Sequence, residues 1–460
     1  MKEEHLFDLL NKYNQTHILK HYQELSLPDK ELFISKIGDL DFELVFSSFE
    51  KAAEKKFPVK HRIDIYPSPI FSIPKDPDEH TRREEARVLG ESIIGRNKIS
   101  VLIVAGGHGS RLGFDGPKGM FPISPVKNKS LFQLFAESVR ALSLRYKAVV
   151  PLLIMMDTEI LPEAKDFFKT NDFFGLDAQN VHFFDQEMLP TLTVDGKLIL
   201  KDKTHLFVNP NGHGGCLKAL SDSGLLKKLL AEGYSDLFYC QIDNPLVKIM
   251  DPVFVGYHKT EDSEISTKIV RRTSCEEKVG IFVAENGKAE VIEYSDLDVD
   301  NRCILDSNGR IRDWAGNTAI HMISLAFLQR LNRSGFTLPY HHAVKLLDSF
   351  GAQGEIAQIK GWKFETFIFD VVPLAKKTCC MEISREEEFA PLKNKQGADS
   401  PETVRNTLSG RYKSWLNEAG IDVAPQMRVE ISPLFASSKE ELRGKIKGIK
   451  IGGDKDIYLE

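Results

Sequence analysis

Ile99-Ser100-Val101-Leu102-Ile103-Val104-Ala105-Gly106-Gly107-His108-Gly109-Ser110-Arg111-Leu112-Gly113 is the stretch whose reading decides the fold. Its first seven residues are a short, almost wholly apolar run that ends in glycines, as expected of a strand buried on both faces of a parallel sheet. Two more such runs follow, at 149–156 (VVPLLIMM) and 237–242 (LFYCQI). Helical patterns lie between them, at 131–146 and 215–232. Strand, glycine loop, helix, strand is the βαβ pattern of a doubly wound α/β sheet. The principal α/β domain is therefore expected over 98–377.

Outward from this region the pattern changes. Leu6, Leu9, Leu10, Tyr13, Ile18, Leu19 and Tyr22 recur at helical spacing, and Ile34, Ile37, Leu40 and Phe42 continue the apolar set. They predict a helical N-terminal segment over 1–97, with Pro28-Asp29 as one helix start. Pro67, Pro69, Pro74 and Pro77 read as an extended connector. Asp78 is placed to cap a helix running to about Gly95. At the other end, 378–460 reads as a small α+β domain. Within it, 445–451 alternates lysine with apolar residues and suits a solvated edge strand.

The chain has 460 residues, 42% hydrophobic and 28% charged, which is the balance of a globular protein able to bury a large core. Its 61 basic and 66 acidic side chains give a net charge of -5. That argues against a mainly electrostatic nucleic-acid binder and leaves room for an anion in a local pocket. The N-terminus has no basic segment before an apolar run, and no stretch approaches ~18 apolar residues. No secretory signal, no membrane span and a cytoplasmic location are the expectations. Cys216, Cys240, Cys275, Cys303, Cys379 and Cys380 form no C-x-x-C pair, so reduced thiols are expected rather than a zinc or disulfide framework.

The glycine loop carries the chemistry. Gly106, Gly107 and Gly109 are expected to bend the backbone and bring its N–H groups close to a ligand, an arrangement that suits phosphate. Arg111 adds a planar fork that matches phosphate oxygens. Lys118, after Pro117, adds a point charge and is expected as an exposed loop lysine. A dinucleotide fingerprint needs G-x-G-x-x-G, and here the third glycine is one residue late. A P-loop needs G-K-[ST], but Lys118 is followed by Gly119. What remains is G-G-x-G-[ST]-R-L followed by P-K.

That pattern resembles the UDP-sugar pyrophosphorylases, most closely the UDP-N-acetylhexosamine branch. The likeness recurs in order over about 100–435. Phe183-Phe184-Asp185-Gln186-Glu187-Met188-Leu189-Pro190 is similar to the family's FFxQxMLP segment, and Asn209-Pro210-Asn211-Gly212-His213-Gly214-Gly215 to its second glycine loop. Gln241-Ile242-Asp243-Asn244-Pro245-Leu246, Glu293-Tyr294-Ser295-Asp296, Gly316-Asn317 and Phe389-Ala390-Pro391-Leu392-Lys393-Asn394 resemble further family segments. The resemblance implies a Rossmann-like, glycosyltransferase-A-like nucleotidyltransferase domain. It also implies a reaction of UTP with a sugar 1-phosphate, giving a UDP-sugar and pyrophosphate. The chain would act as a monomer or weak homo-oligomer, with no nucleic acid or membrane partner. UDP-N-acetylglucosamine is the first expected product. UDP-glucose, UDP-galactose or several UDP-sugars are the alternative, and a UDP-sugar sensor without turnover is the non-enzyme reading.

The resemblance also implies roles. Ala105, Gly106 and Gly107 would hold the nucleotide through the backbone. Arg111, Lys118 and Lys393 would neutralise the phosphates. Gln186 would read the uracil edge, with Gly212 and His213 beside it. Here the chain departs from the closest branch, which commonly has Asn at the position of His213; Gly-His-Gly is frequent in UDP-glucose and broad-specificity enzymes. Asp243 would take Mg²⁺, the one cofactor expected. Gly280, Glu293 and Asn317 would hold the sugar, with Lys363 and Phe367 completing the wall. His341 and His342 are read as packing or surface residues.

Overall fold

The computed structural model describes residues 2–54, 69–285, 288–294, 304–335, 337–350, 356–447 and 456–460. The chain folds as two compact units that interleave along the sequence. One comprises Val59–Asp185, Leu217–Phe336 and Val371–Glu460; the other comprises Met1–Pro58, Gln186–Cys216 and Thr337–Asp370.

The larger unit is built on a ten-stranded sheet. Its strands are β1 (Ile70–Phe71), β2 (Ile99–Val104), β3 (Leu152–Met156), β4 (Val181–Asp185), β5 (Asp236–Gln241), β6 (Ile265–Arg271), β7 (Ile281–Glu285), β8 (Lys288–Ile292), β9 (Ala315–Ser324) and β10 (Thr378–Glu382). The main order is β1-β10-β6-β9-β5-β2-β3-β4, with the β7–β8 hairpin joined to β9. All neighbours in that order are parallel except at β9, which runs antiparallel to β5 and β6. β2, β3 and β5 are buried along nearly their whole length, which is why they read as continuous apolar runs. From β2 the chain steps outward to β3 and β4, then returns to place β5 on the other side of β2. The carboxyl ends of β2 and β5 therefore flank a topological switch point, where open α/β sheets bind ligands.

Helices Pro77–Ile94 and Pro252–Thr260 pack so closely that a Cβ on Gly90 would clash with the Pro252 carbonyl, and one on Gly256 with the Ala86 carbonyl. At the chain's end, Tyr412, Trp415 and Leu416 of helix Pro401–Glu418 share a core with Val429, Ile431 and Leu442. The smaller unit packs Leu6, Leu10, Tyr22, Phe33 and Ile37 with Leu189, Leu192, Leu198 and Phe364. It contains a three-stranded sheet of Leu192–Thr193, His341–Phe350 and Ile356–Glu365.

The expected mixed α/β architecture is present, but several details differ. Neither expected boundary, 97/98 or 377/378, falls at an edge of the two units. β1 and helix Pro77–Ile94 belong with the sheet, and β10 is one of its strands; a linear reading cannot see such returns. The Pro77–Ile94 helix is capped by Asp76, whose carboxylate accepts from Asp78 and Glu79 N–H, rather than by Asp78. Ser26 caps helix Leu27–Gly38, with Pro28 in its first turn. The helix expected over 215–232 is two, Cys216–Asp222 and Leu225–Ala231, broken at Gly224 with φ 79°. Lys445 ends helix Lys439–Lys445, and 448–451 of the expected edge strand lie outside the described residues. Cys216, Cys240, Cys379 and Cys380 are free and buried, but Cys275 is disulfide-bonded. Spacing alone could not anticipate a spatial pairing. Among the described residues no helix is long and apolar enough to cross a membrane.

Candidate active site

The first glycine loop springs from the end of β2. Ala105 continues the ladder by donating to the Met155 carbonyl at 2.8 Å. The loop then closes on itself. Lys118 N–H donates to the Gly107 carbonyl at 3.0 Å, and Gly109 N–H to the Gly116 carbonyl at 2.9 Å. The left-handed bends are at Gly113 and Gly116, with φ 72° and 126°, and not at Gly106, Gly107 or Gly109. Gly107 serves differently: no described atom lies within 4 Å of where its Cβ would stand. The short turn Ser110–Leu112 presents Arg111 to solvent, and Lys118 opens the turn Lys118–Met120.

Lys118 is half-buried rather than exposed. Burial pushes its ammonium below the ordinary lysine range. Asp243 opposes that shift, while Lys393 and Arg111 add to it. Charges from three separate stretches of the chain, around 111, 243 and 393, thus act on Lys118. Asp243 is held there because Ile242 N–H extends the β5–β2 ladder, donating to Val104 O at 3.0 Å. Leu392 N–H donates to the Asp243 carbonyl at 2.7 Å, which brings the Lys393 segment alongside. Two neighbours were missed from the sequence. Asp399 accepts from Lys393 and Asn394 N–H through its carbonyl at 2.8 and 3.0 Å. Burial raises its carboxyl, Lys393 lowers it, and Asp243 raises it further. The Lys395 ammonium lies over Gly113, 3.1 Å from a Cβ position there. Their signal was proximity to Lys393 in the sequence, which spacing could not distinguish from ordinary surface charge.

Gly280, Glu293 and Asn317 also come together. Asn317 N–H donates to the Gly280 carbonyl at 2.8 Å, and Glu293 Oε1 is 3.9 Å from a Cβ position at Gly280. Asn317 is 8% exposed, and its Oδ1 accepts from Ala319 N–H at 3.0 Å. That bond spans a shift in register between Asn317 and His321, where Ala319 has φ 55°. Ser295 and Asp296, from the same sequence motif as Glu293, lie outside the described residues.

The smaller unit holds the second glycine loop. Gly212 has φ 89°, and a Cβ there would clash with the Thr366 carbonyl. Thr366 binds the loop in return: its N–H donates to Asn211 O at 2.6 Å, and its carbonyl accepts from Gly214 N–H at 2.9 Å. Asn211 is tied to Glu187, next to the buried Gln186, by a backbone bond of 3.0 Å and a side-chain bond of 3.1 Å. His213 Nδ1 accepts from Ile368 N–H at 3.1 Å, which puts the proton of the neutral ring on Nε2. The ring stacks on Phe367 at 5.2 Å. His341 meets the same Phe367 at 4.5 Å and binds Asp370 at 2.9 Å, so its packing role falls beside the loop. His342 stacks on Trp362 at 4.3 Å. Lys363 pairs with Glu365 at 2.7 Å.

Residues 49–412 match the sequence profile of the UTP–glucose-1-phosphate uridylyltransferase family. The chain belongs to this family. Within it, the chain is 32% identical to the UDP-N-acetylglucosamine pyrophosphorylase of Saccharomyces cerevisiae, over 97% of each chain. It is 32% identical to the probable UDP-N-acetylglucosamine pyrophosphorylase of Dictyostelium discoideum, over 95% of this chain and 94% of that one. The Trypanosoma brucei uridine diphosphate N-acetylglucosamine pyrophosphorylase, solved with an inhibitor, superposes with TM-score 0.84 at 26% identity. That likeness covers 98% of this chain and 96% of the other. The uridylyltransferase family relation thus spans both units, including both glycine loops and the Lys393 segment.

Proposed function

We propose that this chain is a uridylyltransferase that converts UTP and N-acetylglucosamine 1-phosphate into UDP-N-acetylglucosamine and pyrophosphate. The observation that carries the reading is the convergence of Asp243, Lys393 and Arg111 on Lys118 at the switch point of the sheet, with the Lys393 segment bound to the Asp243 carbonyl through Leu392 N–H. A phosphate oxygen of the sugar phosphate attacks the α-phosphorus. The bond to the β-phosphate breaks, and its electron pair leaves with pyrophosphate. Nothing in this step needs a protein nucleophile; it needs positioning and cations aimed at developing charge. Lys118, drawn partly out of water, exerts a stronger field than an exposed lysine. Lys118 and Lys393 meet charge at the α-phosphate and the bridging oxygen. Arg111 holds the phosphates that leave.

Asp243 is the residue that would hold Mg²⁺. One carboxylate completed by phosphate oxygens and water is the donor set this ion favours. When bound, the ion would neutralise triphosphate charge. The backbone of Ala105, Gly106 and Gly107 would receive the nucleotide; for Gln186, Gly212 and His213 the base-reading role is the one that the family resemblance implies. On the sugar side Asn317 has its amide oxygen engaged by Ala319, so its Nδ2 is the group offered to an acceptor such as the N-acetyl carbonyl. Glu293 would accept sugar hydroxyls beside Gly280; for Lys363 the sugar-side role is the one that the family resemblance implies.

The names of the yeast and Dictyostelium relatives support the N-acetylglucosamine reading. His213 favours a second one, a UDP-glucose, UDP-galactose or broad-specificity enzyme. Exchange of labelled pyrophosphate into UTP separates them. Exchange at least about tenfold faster with UDP-N-acetylglucosamine than with UDP-glucose is the expected result. The reverse order favours the second reading, and no exchange with any UDP-sugar leaves only a binding protein.

A further inference from the structure

The turn after β5 carries more than Asp243. The next residue, Asn244, is 4% exposed, and its side chain supplies the pair of hydrogen bonds that an adjacent strand would supply. Nδ2 donates to the Glu388 carbonyl at 2.8 Å, and Oδ1 accepts from Ala390 N–H at 3.1 Å. The Asp243 carbonyl then accepts from Leu392 N–H at 2.7 Å. These bonds fall on alternate residues of 388–392 and stop one residue short of Lys393. Beyond it, Lys393 and Asn394 N–H both close on the Asp399 carbonyl, and Ser400 caps helix Pro401–Glu418. Before it, the Glu388 carboxylate is bound to Lys268 of β6, a fully buried ammonium that also pairs with Asp251 at 3.1 Å. Arg411 donates to the carbonyls of Leu246 and Glu387, each at 3.0 Å, and so ties the two segments together again.

We propose that Asn244 is a positioning residue for the transfer: it fastens the Lys393 segment to the strand end that carries Asp243, and thereby fixes Lys393 against Asp243 and Lys118. The proposal rests on the roles given above to Lys393 and Asp243. Lysine has a flexible four-carbon stem, so where its ammonium sits depends on where its backbone is held. A displacement of about 1 Å can lower a rate about 100-fold. Asn244 does not reach the reacting atoms by this account; it acts through Lys393.

A double-mutant cycle on the full chain tests this, with kcat, KM for UTP and Tm measured for Asn244→Ala, Lys393→Ala and the double variant. Asn244→Ala should lower kcat about 100-fold, with KM for UTP changed less than about threefold. In the Lys393→Ala background the same substitution should lower kcat less than about threefold, because its target is gone. Asn244→Asp keeps the acceptor for Ala390 and loses the donor to Glu388. It should show an intermediate loss, and it takes the place of the alanine variant if that fails to fold. Equal losses with and without Lys393, or an unchanged kcat in both Asn244 variants, overturn the proposal. Undiminished turnover in Lys393→Ala alone overturns the role of Lys393, and with it the object that Asn244 positions; that outcome is read before the cycle is closed.

Discussion

The two glycine loops use the same residue for opposite ends. Around Gly107 the absent side chain leaves open space, and the bends are made elsewhere, at Gly113 and Gly116. Around Gly212 the absent side chain is what lets protein in: the Thr366 carbonyl lies against its Cα, and Asn211 crowds Gly215 in the same way. The first loop is closed by its own backbone and surrounded by cations. The second is closed by a neighbouring strand end and walled by His213, Phe367 and His341. Glycine in a sequence therefore marks close approach, but whether a ligand or the protein itself approaches is decided by what lies opposite.

The largest expected effect lies in the cationic loop. Lys118→Met should lower kcat by at least about 100-fold, the scale for losing one preorganised charge. It should not lower Tm, because the buried ammonium costs the fold desolvation. The sign is that of a base whose folded value is depressed: its ammonium destabilises the native state in full below that value, and the cost fades as pH rises from there to the ordinary lysine range. The stability gap between variant and native chain should therefore narrow at alkaline pH. A Tm drop with retained turnover would reverse the contrast. Asp243→Asn should raise the Mg²⁺ concentration for half-maximal rate about tenfold or more, and an unaltered metal titration would remove it as the ligand.

The glycines themselves come next. Gly212→Ala, strained in backbone and space, should cost about 1–3 kcal/mol of stability by denaturant titration. Gly107→Ala should stay within about 0.5 kcal/mol and show its effect in KM for UTP instead. Equal destabilisation of both would erase the distinction between the loops. The smallest effect belongs to His213→Asn, which removes the stack on Phe367. It should change the ratio of kcat/KM between N-acetylglucosamine and glucose 1-phosphates by about tenfold, the lower end of what a pocket contact discriminates.

Much of the fold is legible in the sequence. β2, β3 and β5 appear within a few residues of the apolar runs, because strands buried on both faces leave continuous hydrophobic signal. Helix Leu131–Tyr146 appears at the bounds its pattern gives. The candidate set Arg111, Lys118, Asp243 and Lys393 follows from motif resemblance, and its other three members all act on the charge of Lys118. What the sequence hid is what depends on distant partners. The half-burial of Lys118 is set by the folded surroundings, and the antiparallel β9 by a chain return. The clamp of Asn244 on Glu388 and Ala390 spans more than 140 residues. The break at Gly224 shows a local signal underweighted: one left-handed glycine outvoted a run of helix formers.

The proposed reaction is a uridylyl transfer to an N-acetylated sugar phosphate. It is tested most directly by pyrophosphate release from UTP and Mg²⁺ with the 1-phosphates of N-acetylglucosamine, N-acetylgalactosamine, glucose and galactose. Pyrophosphate release is expected, with the highest kcat/KM for N-acetylglucosamine 1-phosphate. A higher kcat/KM with glucose or galactose 1-phosphate would contradict the assigned sugar and the role of Asn317, and no release with any of them would contradict the transfer itself.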